Sequence, residues 1–304
     1  MPLSSRARIS LAASAVAVLL TGSACVDIVG ADIGRFVERQ EKSFTTTATP
    51  DVDVSTFDGS IEIRPWDKPE VLVVVEKRGR DKADADTIDV QSSQDGNHVS
   101  VAAKVPGHDG RVGFSWFHNS RSARLIVSAP AASNIVAKSG DGSIDIARIT
   151  GRVDLRSGDG SIRGSALRGD LRAHSGDGSI TLDGVNGALD VDTGDGSISA
   201  SGTFTSVHAR TGDGAVRIHA ESGSAASADW DIVTGDGSVV LELPDGFSGE
   251  LDAHTGDGGI RLRDVAISNA KGEISKHTVR GTLGSGGSAV RLRTGDGSIT
   301  LRRF

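Results

Sequence analysis

Tyrosine is absent from this chain of 304 residues, which also has one cysteine, one methionine and three tryptophans. Aromatic residues make up only 4%, so a buried core has to be built from Val, Ile, Leu and Ala. A single cysteine excludes an internal disulfide. No stripe of basic residues stands out and the formal net charge is −7, which argues against a nucleic-acid partner. The apolar run 9–20 is too short for a comfortable membrane span. What the chain does have is 40 glycines, the mark of many tight turns.

The first residues read as a processing signal. Arg6 and Arg8 form a positive region, residues 9–20 an apolar one, and Thr21-Gly22-Ser23-Ala24-Cys25 a run of small residues ending in cysteine. Residues 1–24 are therefore expected to be a lipoprotein signal peptide, with Cys25 the lipid attachment site, although Gly22 stands where such signals usually carry Leu. Removing those residues takes away two Arg and no acids, moving the charge from −7 to −9. Residues 25–42 are expected to be a short tether holding the domain near a membrane.

The core of the reading is a repeat. Gly-Asp-Gly begins at Gly140, Gly158, Gly176, Gly194 and Gly212, always 18 residues apart, and returns at Gly235, Gly256 and Gly295. Aligned on this motif, apolar residues form columns. Ile135, Val153, Leu171, Leu189 and Val207 stand five residues before it, and Ile144, Ile162, Ile180, Ile198 and Val216 shortly after it. Apolar positions two apart on each side read as two short strands facing one core. The alternation changes parity across the motif, which a continuous strand cannot do, so the motif is a bend. The expected fold is all-β: a parallel single-stranded β-solenoid of roughly 18-residue coils, spanning residues 134–304, with glycine chosen for the backbone angles of the bend. Residues 43–133 are expected to be an N-terminal β-rich capping region continuous with it. There Val52, Val54, Ile61 and Ile63 alternate with polar residues, residues 71–75 form an apolar strand, and residues 77–86 form a charged excursion, loop or short helix.

Phe57-Asp58-Gly59-Ser60-Ile61 followed by Pro65-Trp66-Asp67 resembles the opening of the bacterial β-strand-repeat adhesin-like family, also called the toast-rack domain. Pro130 leading into Ser139-Gly140-Asp141-Gly142-Ser143-Ile144 resembles its middle, and Thr294-Gly295-Asp296-Gly297-Ser298-Ile299 its closing repeats. The resemblance covers most of the mature chain. It implies a single-stranded β-solenoid, an envelope location and no established enzymatic activity, and it carries over no catalytic residue.

Three features could carry chemistry. The acidic column Asp141, Asp159, Asp177, Asp195, Asp213, Asp236, Asp257 and Asp296 offers one carboxylate per coil. Calcium could bind a ladder such as Asp159, Asp177, Asp195 and Asp213, but it asks for six to eight oxygens. The plainer reading is that each Asp bonds backbone N–H groups of its turn, offset by the neighbouring Lys138, Arg156, His174, Arg210, His254 and Arg293. The hydroxyl column Ser139, Ser157, Ser175, Thr193, Thr211, Thr234, Thr255 and Thr294 points inward by parity and reads as a hydrogen-bond ladder. Catalysis would need a unique nucleophile and base, and every candidate here is repeated. The feature that does not repeat is the aromatic group Phe114, Trp116 and Phe117, expected to cap the solenoid or to meet a partner.

The leading expectation is a non-enzymatic, lipid-anchored envelope protein, anchored to the membrane through Cys25, whose repetitive surface binds a glycan or an envelope protein. An envelope-stress sensory or scaffold module is the first alternative. A carbohydrate-active β-helix enzyme is the second; it would place a few acids at one irregular spot, and the regular Asp column speaks against it. No cofactor is expected.

Overall fold

The computed structural model describes residues 26–28, 36–47, 49–106, 121–270 and 275–304, the first three by backbone alone. Apart from the short helix Lys82–Asp86, every regular element among them is a strand, and all the strands join one continuous sheet. No helix among the described residues is long and apolar enough to cross a membrane.

The alternation in the sequence becomes burial directly. In Val153–Ser157 the residues Val153, Leu155 and Ser157 are buried while Asp154 and Arg156 face outward. Ile162–Ser165, after the corner, repeats the pattern on a second wall. Each strand–corner–strand rung then pairs in parallel with the next. On the first wall Ile135, Val153, Leu171, Leu189 and Val207 stand in register. On the second, Ile144, Ile162, Ile180, Ile198 and Val216 do the same. Fully burying one such side chain contributes about 1.5–3 kcal/mol, so two stacked aliphatic columns carry most of the core, joined by the buried aromatics Phe204, Trp230 and Phe247.

A third apolar column closes each rung and was not expected. Ile149, Leu167 and Val185 are buried, beside the parallel bridges Ala132↔Thr150, Thr150↔Arg168 and Arg168↔Asn186. This explains Gly164, the one gap in the second-wall column. A Cβ there would stand 2.9 Å from Leu167 Cδ1 and 2.8 Å from Leu182 Cδ2, so those leucines already fill the space.

At both ends the order in space departs from the order in sequence. The strands Asp51–Thr56 and Ile61–Trp66 lie between His98–Lys104 and Ser122–Pro130 on one side and Asn134–Ser139 and Ile144–Ala147 on the other. At the other end, Ala289–Thr294 and Ile299–Arg303 lie between the Trp230–Thr234 rung and the Gly249–Thr255 rung. The first and last rungs written in the chain are thus each inserted one rung inside the stack. Antiparallel strands finish the ends: Phe36–Thr45 and Glu70–Gly79 at one, Thr278–Leu283 at the other.

Two expectations change. Residues 36–42 are not tether: Phe36–Thr45 is a strand paired along its length with Glu70–Gly79, where Lys77 and Glu38 meet 3.7 Å apart. Lys77 belongs to that strand, so the charged excursion shrinks to the helix Lys82–Asp86, whose first turn is capped by the Asp81 side chain bonding the Asp84 N–H. The N-terminal region is continuous with the repeats, as expected, because Asp51–Thr56 continues the ladder of Asn134–Ser139.

Candidate functional site

The corners stack as tightly as the strands. Gly142, Gly160 and Gly178 have no positive φ, so the bend's angles are not what demands glycine. A Cβ on Gly160 would be driven into the carbonyl of Gly142, and one on Gly178 into that of Gly160. Glycine is required because successive corners leave no room for a side chain.

The hydroxyl ladder is the corner's second fastening. Ser175 Oγ accepts the N–H of Gly178 in its own rung (3.1 Å) and donates to the carbonyl of Gly160 in the neighbouring rung (3.0 Å). Thr234 does the same with Gly237 and Gly214, and Thr294 with Gly297 and Gly237. These hydroxyls are inward, buried and spent on backbone groups, which leaves none poised as a nucleophile.

The corner carboxylates do something else. Asp159, Asp177, Asp195 and Asp213 are exposed. Among the described residues none of them accepts a backbone N–H, contrary to expectation. Instead Asp141 Oδ1 and Asp159 Oδ1 lie over the first glycine of the following corner. Among the described residues no three His, Cys, Asp or Glu gather to hold a metal ion. Asp58, in the corner next to that of Asp141, is held above the usual carboxylate range, first by burial and then by the charge of Asp141.

The outward face of the first wall carries an ordered charge pattern. Asp154, Arg172, Asp190, His208, Asp231, Arg291, Asp252 and Arg280 are successive register partners. No two acids in this column are neighbours. Ion pairs lock it from rung to rung: Arg172–Asp190 at 3.6 Å, Arg210–Asp231 at 2.7 Å and Arg293–Asp252 at 2.6 Å. Burial works against ionisation of Asp252, but the hydrogen bonds of Arg293 and Arg280 outweigh it and hold its carboxyl below the usual range. On the second wall Glu242 behaves alike, with burial overcome by bonds from His219 (2.6 Å) and Arg302. Sequence reasoning missed this trio because Glu242 meets Arg302 only after the last rung is inserted.

Concavities among the described residues include one on the first wall and one at the N-terminal end. A shallow depression of about 300 Å³ on the first wall is lined by Asp190, Val191, Asp192, His208 and Arg210. A larger open cavity of about 630 Å³ at the N-terminal end is lined in part by Lys77, Ile88, Val90, Val105 and Arg121. Cys25, Phe114, Trp116 and Phe117 lie outside the described residues.

The model of the Toastrack DUF4097 family matches residues 43–302. No curated protein matches the sequence. Among solved structures, a candidate lipid-binding protein from Parabacteroides distasonis ATCC 8503 is similar at 13% identity, covering 86% of this chain and 96% of that one, with a TM-score of 0.42. A candidate adhesin from Bacteroides fragilis NCTC 9343 is similar at 11% identity, covering 88% and 97%, with a TM-score of 0.36. A candidate cell adhesion protein from Clostridium sporogenes ATCC 15579 shares 11% identity over 88% and 100%, with a TM-score of 0.25.

Proposed function

The chain belongs to the Toastrack DUF4097 family, and from that premise we propose that it is a non-enzymatic binding scaffold of the cell envelope, built as a single-stranded β-solenoid of 18-residue coils. The observation that carries this reading is the register of the first wall, where outward polar positions recur at the spacing of successive parallel strands, about 4.8 Å. Such a face alternates carboxylates with Arg or His at a fixed spacing, which suits a ligand that repeats along its length. An extended anionic or neutral glycan has that form. The depression lined by Asp190, Asp192, His208 and Arg210 would orient it through carboxylate and guanidinium hydrogen bonds. The hydroxyl ladder favours binding over catalysis, since its oxygens already serve the corners. Attachment to a membrane through acylated Cys25 completes the reading.

The test is an array of polymeric glycans probed with the full chain and with an Asp192→Asn/Arg210→Ala variant. Binding to a repeating glycan that falls about tenfold in the variant supports the reading, as expected for loss of charge-assisted bonds. Absence of binding to every glycan would overturn the ligand class and leave a protein partner as the alternative. Metabolic labelling with a fatty acid that disappears in Cys25→Ser tests the anchor separately.

A further inference from the structure

The second wall ends on a charge arrangement that the first wall avoids. In the last rung of the stack Arg263 is the register partner of Arg302, with Arg261 two positions away on the same outward face. Like charges directly opposite each other destabilise a sheet. Arg302 is tied to Glu242, but Arg261 and Arg263 are exposed and make no ion pair or side-chain hydrogen bond among the described residues. Asp264, next in the chain, pairs with neither. Residues 260–304 hold nine Lys and Arg against three acids, a surplus of six within a chain whose net charge is −7. Four of the nine, Arg280, Arg291, Arg293 and Arg302, are paired with acids outside that stretch, so the unpaired charge at this end centres on Arg261 and Arg263.

Apolar groups accompany the arginines. Phe304 is 54% exposed, the one large hydrophobic side chain so exposed among the described residues. Its ring stacks on His219 at 4.5 Å, next to the Glu242–Arg302 pair. Three strands further along this wall, at Ile260–Arg263, the core runs out: Ile260, Leu262, Val265 and Ile267 pack against it only in part. The strand Ile260–Arg263 therefore alternates half-covered apolar residues with free guanidinium groups; among the described residues its strand ladder runs to Ile299–Arg303, and on the other side the Ile260 N–H bonds the Lys276 carbonyl.

We propose that this end of the stack docks onto an anionic lipid surface. Guanidinium forks bind phosphate bidentately and suit lipid headgroups. Guanidinium groups alternating with half-covered aliphatic carbon, with Phe304 exposed further along the same wall, match the boundary between headgroup and acyl chain. A soluble polyanion would use the charges and leave the apolar groups in water, so the lipid surface accounts for more of what is there. The site lies at the opposite end of the stack from Val26–Ile28, the strand that follows Cys25, and so it is separate from the acyl attachment.

The experiment is vesicle co-sedimentation with the full chain carrying Cys25→Ser, which removes the acyl attachment. Vesicles are either phosphatidylcholine alone or an equimolar mixture with phosphatidylglycerol. Binding is expected only to the mixed vesicles, falling as salt is raised. Arg261→Glu/Arg263→Glu is expected to weaken it at least about tenfold, since each basic residue near such a surface contributes roughly 1 kcal/mol. Lys138→Glu/Arg152→Glu, the same charge change elsewhere, is expected to leave binding intact. If the double reversal does not fold, Arg261→Gln and Arg263→Gln singly keep the test, and Arg263→Gln is expected not to lower the Tm. Phe304→Ala is expected to weaken vesicle binding while leaving any affinity for soluble polyphosphate unchanged. Vesicle binding indifferent to the arginines would overturn the proposal, as would binding to polyphosphate with none to vesicles.

Discussion

The middle rungs stack in the order in which they are written; the two ends do not. From Asn134–Ser139 to Trp230–Thr234 each first-wall strand pairs with the next one in the chain. At the C-terminal end the chain makes the Gly249–Thr255 rung, returns through Thr278–Leu283 and slides Ala289–Thr294 back between two rungs already laid down. Written order would set Asp231 against Asp252 in the outward column. The inserted rung puts Arg291 between them, and Arg291 also bonds Asp229 at 2.9 Å. On the first wall partner choice thus favours side-chain complementarity over chain proximity, while on the second the same insertion sets Arg302 against Arg263. The N-terminal insertion lacks that logic: Glu62 faces Asp145, and Arg64 and Arg124 offset Glu62.

The largest effect expected from breaking this contrast comes at the junction of middle and end. Trp230 is fully buried and packs edge-on against Phe204 at 6.3 Å and Phe247 at 5.0 Å. Trp230→Ala is expected to cost about 3–5 kcal/mol in urea unfolding. Amide exchange should then accelerate in 230–303 and stay slow in 134–193; uniform acceleration would mean that ends and middle form one cooperative unit. Within the middle, Gly178→Ala is expected to cost about 3 kcal/mol, because the carbonyl it meets belongs to a stacked corner that cannot shift alone. A neutral result would show that the corners have slack. Arg291→Asp places three acids in a row and is expected to cost about 1 kcal/mol, against almost nothing for Arg152→Asp. Equal effects would remove charge as the reason for the inserted order.

The smallest effect concerns Asp58, at the inserted rung of the other end. Its carboxyl is held above the ordinary value by burial and by Asp141, so its ionised form opposes folding at neutral pH and its protonation relieves that as pH falls. Asp58→Asn is therefore expected to raise the Tm slightly at pH 7, with the gain vanishing in acid. A gain that persists in acid would point to hydrogen bonding instead of charge.

The all-β class, the two walls and the hydroxyl ladder were legible because each is a periodic demand repeated in register. Ser175, Thr193 and Thr211 occupy one column in the sequence as they do in space. The reason for the glycines was not legible: a steric limit between corners and an angular limit within one select the same residue. The inserted rungs were illegible for a different cause. Gly235, Gly256 and Gly295 carry the same motif, and nothing local in the motif says which neighbour each will choose. The surface that depends on that choice, Arg263 beside Arg302 and Glu242 between His219 and Arg302, stayed hidden with it.

The inserted rungs also decide how the molecule resists being pulled. Tension applied along the segment after Arg303 loads Ile299–Arg303, which is bonded in parallel to Val239–Leu243 on one side and Ile260–Arg263 on the other. An outermost strand would peel away one hydrogen bond at a time. A strand held on both flanks has to be sheared from two ladders together, so the force is shared across many bonds at once.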